Sequence, residues 1–206
     1  MPVDFQSSET KENLLRAFAG ESQARMRYTL AAEEARKQNR QVVEKVFQYT
    51  AAQEAKHAEV FYKLLEPAAK TTIHIDGGYP VDISNNVTEL LRMAQHNELE
   101  EYNDVYKTFS EKANEEGFVR ISATFKMIAE IEKVHGERFG KLAELMEKNQ
   151  LFVSEVQTTW ICLNCGYIHE GTSAPAHCPV CEVDQGYFIR FELSPYEPIG
   201  RVETGQ

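Results

Sequence analysis

Glu54-Ala-Lys-His57 and its echo Glu132-Lys-Val-His135 decide how this chain folds. Positions three apart on a helix lie on one face, with Cβ atoms about 5–6 Å apart, so a carboxylate and an imidazole can grip one metal ion from a single turn. Both pairs sit on apolar stripes. Phe47, Thr50, Glu54, His57, Phe61 and Leu64 share one helical face, and Phe125, Ile128, Glu132, His135, Phe139 and Leu142 share another. A helix does not bury Glu and His among such residues without something for them to hold.

The two stretches align without a gap: Phe47, Ala51, Glu54, His57, Phe61 and Leu64 match Phe125, Ala129, Glu132, His135, Phe139 and Leu142. Some thirty-odd residues upstream of each lies a stripe Glu on another helix. Glu21 belongs to the stripe Leu14, Ala17, Phe18, Glu21, Ala24, Tyr28, Ala31. Glu98 belongs to Leu91, Ala94, Glu98, Glu101, Val105, Thr108. The pattern reads as an internal duplication of a helical hairpin. It predicts a mainly α fold, with helices over residues 8–37, 41–65, 87–114 and 118–149 in a bundle of approximate two-fold symmetry. The short polar break Gln38-Asn39-Arg40 implies antiparallel neighbours, whereas residues 68–86, with Gly77-Gly78 and Pro80, suit a long crossover between halves. Pro67 ends the second helix, and Ser8 and residues 84–86 offer N-caps.

One Glu on each of two helices plus Glu-x-x-His on each of two others is the ligand set of di-iron and di-manganese carboxylate bundles. The candidates are Glu21, Glu98, Glu54, His57, Glu132 and His135. Mixed oxygen and imidazole donors suit iron or manganese better than thiophilic metals. Glu101, three residues after Glu98, adds a carboxylate on one side only. Iron(III) is harder than iron(II) and favours carboxylate over imidazole, so Glu101 is expected to exchange with His57 as the oxidation state changes, while His135 stays. Tyr28 and Tyr106 are placed to hydrogen-bond ligand carboxylates, although packing aromatics would look the same. His74 and His96 lack this register and read as surface residues.

After Asn149 the texture changes to Val, Thr, aromatics, Gly and Pro, with residues 152–159 reading as a linker. All four cysteines follow as Cys162-Leu-Asn-Cys165 and Cys178-Pro-Val-Cys181, twelve residues apart. That spacing makes a closed tetrahedral thiolate site among short strands and turns. Zinc and iron both fit it. A redox di-iron site on the same chain favours iron, which can pass electrons there but has no open position for substrate. A domain this small depends on its metal for much of its stability. The division expected is 1–150 for the bundle and 151–206 for the cysteine domain.

The formal net charge of -10 over 206 residues disfavours nucleic acid and anionic membranes as partners. The N-terminus lacks a secretory pattern and no apolar run approaches the ~20 residues of a membrane helix. A cytoplasmic protein is expected, with its cysteines on metal and not in disulfides.

Glu21, Glu54-x-x-His57, Glu98-x-x-Glu101, Glu132-x-x-His135 and the two Cys pairs together resemble the rubrerythrins over nearly the whole length. The resemblance implies a ferritin-like bundle followed by a rubredoxin-like domain. It implies a non-haem peroxidase that reduces hydrogen peroxide to water in oxidative stress defence. It implies two irons bridged by Glu54 and Glu132, one completed by Glu21 with Glu101 or His57, the other by Glu98 and His135. A further iron would sit on Cys162, Cys165, Cys178 and Cys181. Electrons would come from NAD(P)H through rubredoxin or other redox proteins, in a homodimer or larger homo-oligomer where one subunit's rubredoxin-like iron lies near the other's di-iron site. The competing readings are a ferritin-like ferroxidase, a di-manganese site and a helical scaffold with a zinc ribbon. A tethered thiolate electron carrier serves neither iron storage nor ferroxidation; ligand chemistry alone does not choose iron over manganese, and metal analysis separates the scaffold from the other readings.

Overall fold

Ser8 opens the first helix by accepting a hydrogen bond from the Lys11 backbone N–H, and α1 then runs over Glu9–Lys37. A turn through Asn39, at φ 53°, reverses the chain into α2, Gln41–Leu64. The computed structural model describes residues 3–194 of the chain. Residues 69–86 contain no helix or strand and run the length of the bundle beside α1 and the third helix. They are pinned by Arg16 donating to Asp76 (2.9 Å), the Tyr79 hydroxyl donating to the Arg16 carbonyl (3.1 Å) and Asn97 donating to Asp82 (2.6 Å). Asn86 then caps α3, Val87–Glu100, by accepting from the backbone N–H groups of Thr88 and Glu89. α5, Val119–Glu147, completes the bundle after a turn at Gly117, whose φ of 90° is open to glycine.

The third helix carries a feature that its apolar stripe does not announce. Glu101–Val105 form a π-turn, after which α4 continues over Tyr106–Glu115. A π-turn inserts one residue into the helical register. The inward positions beyond it are therefore Tyr106, Ser110 and Ala113, while Thr108, expected on the buried stripe, is exposed and Val105 is half-buried. That shift is a correction to the sequence reading, and it turns Tyr106 toward the centre.

The duplication is visible in the packing. Tyr28, Phe47 and Phe139 form an aromatic triad on one side of the central carboxylates, with Phe47 and Phe139 ring centroids 5.0 Å apart. Tyr106, Phe125 and Phe61 form its repeat-related counterpart on the other side, Phe61 and Phe125 also standing 5.0 Å apart. Each triad anchors a separate apolar cluster. The polar residues between the clusters are thus sealed from both ends.

The expected linker 152–159 is mostly a strand. β1 covers Val153–Cys162 and pairs antiparallel with β2, Ile168–Ser173, and β3, Phe188–Arg190, in the order β2-β1-β3. Its β-branched Val153, Val156, Thr158, Thr159 and Ile161 favour the extended form; the irregular register between Val153 and Thr158 is where the expected linker lay. Trp160 is fully buried against Phe188, its Nε1–H donating to the Gly171 carbonyl at 3.0 Å. This small domain is seated on one end of the bundle. Ile189 joins the cluster of Phe47 and Phe139, with Leu163 and Leu193 packed beside it. At Gly186 the approach is so close that a Cβ would stand 2.5 Å from the Asn39 carbonyl oxygen. No described helix is long and apolar enough to cross a membrane.

Candidate metal centres

Glu54 and His57 on α2, and Glu132 and His135 on α5, project into the layer between the two triads, and α1 and α3 add Glu21 and Glu98. All six are buried. Glu54 turns Oε2 to His57 Nδ1 (3.0 Å) and Oε1 to His135 Nδ1 (3.0 Å). Glu132 turns Oε1 to His57 Nδ1 (2.9 Å) and Oε2 to His135 Nδ1 (2.8 Å). The outer acids choose sides: Glu21 Oε2 lies 3.6 Å from His57 Nδ1, and Glu98 Oε2 lies 3.5 Å from His135 Nδ1. Two four-residue groups result, Glu21, Glu54, His57, Glu132 and Glu54, Glu98, Glu132, His135, each with one donor atom per residue gathered within 4.8 Å. They share Glu54 and Glu132, the arrangement that two bridging carboxylates require.

The outer acids are held from behind. The Tyr28 hydroxyl donates to Glu98 Oε1, and the Tyr106 hydroxyl donates to Glu21 Oε1. Each tyrosine thus crosses to the other half of the repeat and leaves Oε2 facing inward. Tyr28 follows Glu21 by seven residues and Tyr106 follows Glu98 by eight. The extra residue is the one that the π-turn takes up.

Electrostatics show what the site lacks without a cation. Burial, then the charge of neighbouring acids, pushes the carboxyls of Glu21 and Glu98 well above the ordinary range. Burial also opposes ionisation of Glu54, but the adjacent imidazoles of His135 and His57 outweigh it and hold the group at about 2. Burial likewise works against charging the imidazoles, yet the surrounding carboxylates push His135 up to about 12 and raise His57 too. Glu21 Oε2, Glu54 Oε1, Glu98 Oε2, both oxygens of Glu132 and His135 Nδ1 make no hydrogen bond among the described residues. Buried acceptors are rarely left so, and all of these atoms face the space between the histidines. The donor set fits a pair of hard or borderline cations.

Glu101 stands apart. It opens the π-turn, joins neither group, and lines a cavity of about 430 Å³ beneath the crossover with Arg16, Gly20, Tyr79 and Tyr106. Burial and the charge of Glu21 raise its carboxyl well above the ordinary range. His57, not Glu101, occupies the inner position in this conformation. Sequence reasoning missed Gln53, whose Oε1 lies 3.1 Å from His135 Nε2. His96 is exposed, as expected of a residue outside the register.

In the small domain the four sulfurs also lie within 4.8 Å of one another, with Cys162–Cys181 at 3.8 Å and Cys165–Cys178 at 3.6 Å. An ion about 2.3 Å from four sulfurs sets tetrahedral edges near about 3.8 Å, whereas a disulfide would close to about 2.05 Å. Two matching turns hold them. The Gly166 N–H donates to the Cys162 carbonyl (2.8 Å) and the Glu182 N–H to the Cys178 carbonyl (2.9 Å), both residues at positive φ. The hydrogen bond from Asn164 lowers the Cys181 thiol to about 6, part of the way to the thiolate that a metal needs.

Fold and site together define a class: a four-helix carboxylate bundle for two metal ions, joined to a four-thiolate domain. Residues 12–143 match the family model for rubrerythrin, and residues 160–189 match that for the rubrerythrin rubredoxin-like domain. The chain belongs to the rubrerythrin family, which binds iron. It is 39% identical over 189 residues to the rubrerythrin of Clostridium perfringens, covering 91% of this chain and 97% of that protein. It is 40% identical over 188 residues to the rubrerythrin of Porphyromonas gingivalis, covering 91% and 92%. Among solved structures, fully reduced, all-ferrous nigerythrin superposes with a TM-score of 0.60 at 28% identity over 90% of each chain.

Proposed function

We propose that this chain is a cytoplasmic peroxidase that reduces hydrogen peroxide to water, built of a bundle domain over residues 1–150 and an electron-transfer domain from 151. The observation that carries the reading is the pair of donor groups sharing Glu54 and Glu132 on a chain that also owns a closed four-thiolate site. Iron held by these residues would supply the two electrons that, with two protons, turn one peroxide into two waters, and iron held by the four cysteines would return electrons singly. Glu54 and Glu132 would be shared by the two ions, Glu21 and His57 would complete one position, and Glu98 and His135 the other.

The chain's own groups arrange the rest. Tyr28 and Tyr106 hold one oxygen of each outer carboxylate, so that each presents a single oxygen inward. The two aromatic triads keep water from the ends of the layer. Glu101 lines the neighbouring cavity and would be the carboxylate available to replace His57. Electrons are supplied by rubredoxin or another small redox protein, to a homodimer or larger homo-oligomer. Nigerythrin has been solved in mixed-valence, partially reduced and all-ferrous states, the redox range that this activity uses.

Stopped-flow mixing of the fully reduced, iron-loaded protein with hydrogen peroxide tests the reading. Both iron chromophores should reappear within seconds. A reduced protein that peroxide leaves colourless over that time would overturn it.

A further inference from the structure

The cavity beneath the crossover is far larger than hydrogen peroxide needs. A water molecule's share of the liquid is about 30 Å³, and hydrogen peroxide adds one oxygen atom to that, whereas the cavity measures about 430 Å³. That volume lies in the range of sites for organic ligands, about 300–1,000 Å³. Glycine makes part of the room. A Cβ at Gly20, one residue before Glu21, would meet the Tyr79 ring at 3.7 Å, an ordinary contact, and the crossover adds Gly77-Gly78 to the lining. The Tyr79 hydroxyl donates to the Arg16 carbonyl (3.1 Å), which fixes the ring as a wall.

The two ends of the cavity differ in character. α1 and α3 run antiparallel, with Tyr28 against Glu98 and Tyr106 against Glu21. Towards Tyr106 the walls are Ala17, Val105 and Phe109, which belong to the cluster of Phe61 and Phe125. Towards Tyr28 they are Arg27 and Asn97. Asn97 donates to Asp82, whereas Nη1 of Arg27 is buried and makes no hydrogen bond among the described residues. Glu101 lies between the two ends, one turn from Glu98. Glu100 and Asp104 also line the cavity and are exposed. Their charge disfavours an anion and leaves a neutral molecule as the fitting occupant. A second depression that Tyr106 lines is ringed by Lys107, Glu111, Lys126 and Glu130, and suits water.

We propose that this cavity is a binding site for neutral organic hydroperoxides, which the protein reduces alongside hydrogen peroxide. The organic group lies against Ala17, Val105 and Phe109, and the hydroperoxide group lies at Glu101, with the guanidinium of Arg27 as an N–H donor beside it. Two electrons and two protons break the O–O bond, and the products are one alcohol and one water. The inference rests on the peroxidase reading above, which supplies the electrons.

Cumene hydroperoxide, mixed with the fully reduced, iron-loaded protein, should restore both iron chromophores and yield one 2-phenyl-2-propanol for each hydroperoxide consumed. Gly20→Leu should lower the rate with cumene hydroperoxide, relative to that with hydrogen peroxide, by about tenfold or more. Thr108→Trp fills the cavity from an exposed position, where the fold does not depend on the side chain, and should lower the same ratio. Binding is read without turnover in the full-length protein loaded with zinc in place of iron. Saturation-transfer NMR should carry magnetisation from that protein to the methyl protons of 2-phenyl-2-propanol, and both substitutions should weaken the transfer. No transfer in the wild-type protein, or a rate ratio that neither substitution lowers, would overturn the inference. Iron that hydrogen peroxide oxidises and cumene hydroperoxide does not overturns this inference alone. Iron that neither oxidises breaks the functional reading as well.

Discussion

The bundle surrounds its buried carboxylates with two aromatic triads and two apolar clusters, drawing core residues from all of its long helices. Among the described residues, the cysteine domain has around its thiols only Trp160, Phe188, Ala174 and a few half-buried neighbours. The first fold owns enough apolar burial to exist without metal and suffers electrostatic cost where the metal belongs. The second spends its four cysteines on a core that it otherwise lacks. A metal-binding residue therefore means different things in the two places. In the bundle it opposes the stability of the empty fold, and in the small domain it is most of that stability.

The largest expected effect follows from removing all metal. Trp160 is the protein's single tryptophan, so its fluorescence reports on the cysteine domain alone, while far-ultraviolet circular dichroism reports mainly on the helices. A strong chelator should shift Trp160 emission to the red and leave the helical signal largely in place, because four-thiolate sites contribute on the order of 10 kcal/mol to the folding of small domains. Loss of both signals together would erase the contrast.

Within the bundle, Glu54→Ala should cost both metal positions and Glu21→Ala only one, since Glu54 belongs to both donor groups and Glu21 to one. Metal analysis of the two variants gives the answer. The metal-free form of Glu54→Ala should also stay folded, because the bundle's apolar clusters do not depend on that group.

The smallest effect is a pH dependence of opposite sign in the empty and filled bundle. Glu21, Glu98 and Glu101 are raised above their unfolded values in the metal-free fold, as are His57 and His135. Their contribution is complete below the unfolded values, about 4.3 for Glu and 6.5 for His, and is lost as pH climbs through the raised ones. Glu54, held near about 2, works the other way, but its contribution is lost only as pH falls toward that value. The metal-free Tm should thus fall from about pH 6 to about pH 9. The iron-loaded Tm should rise over the same range, because protons compete with the metal for the same atoms. Parallel curves would contradict the assignment.

Much of this was legible in the sequence because the buried carboxylates interrupt stripes whose period is otherwise strict. Glu44 and Glu59, on the same helix, fall off the stripe that carries Glu54 and His57, so position alone separates them. The crossover was equally plain, since Gly77-Gly78 and Pro80 deny a helix. The π-turn was not, because a stripe shows where a register runs and not where it slips. Its one trace is the repeat offset, 77 positions from Glu21 to Glu98 and 78 from Tyr28 to Tyr106. Gln53 left no trace at all. It lies beside the stripe, and only the packing of α2 on α5 brings it to His135. The stretch 152–159 was misjudged because five of its eight residues are Ser, Glu, Gln or Thr, whose polarity reads as a loop when only one strand face is covered.

The crossover has one more consequence. Each metal position takes donors from both hairpins: Glu21, Glu54 and His57 need Glu132, and Glu98, Glu132 and His135 need Glu54. Neither hairpin owns a complete set. Residues 69–86, which join them, supply no donor to either group. Cutting the chain there would separate two fragments that the metal ions still staple together. By the same geometry a lone hairpin, paired with a second copy of itself about a two-fold axis, would assemble both Glu-x-x-His pairs and both outer acids. The site needs two hairpins, and one continuous chain is only a way of supplying them.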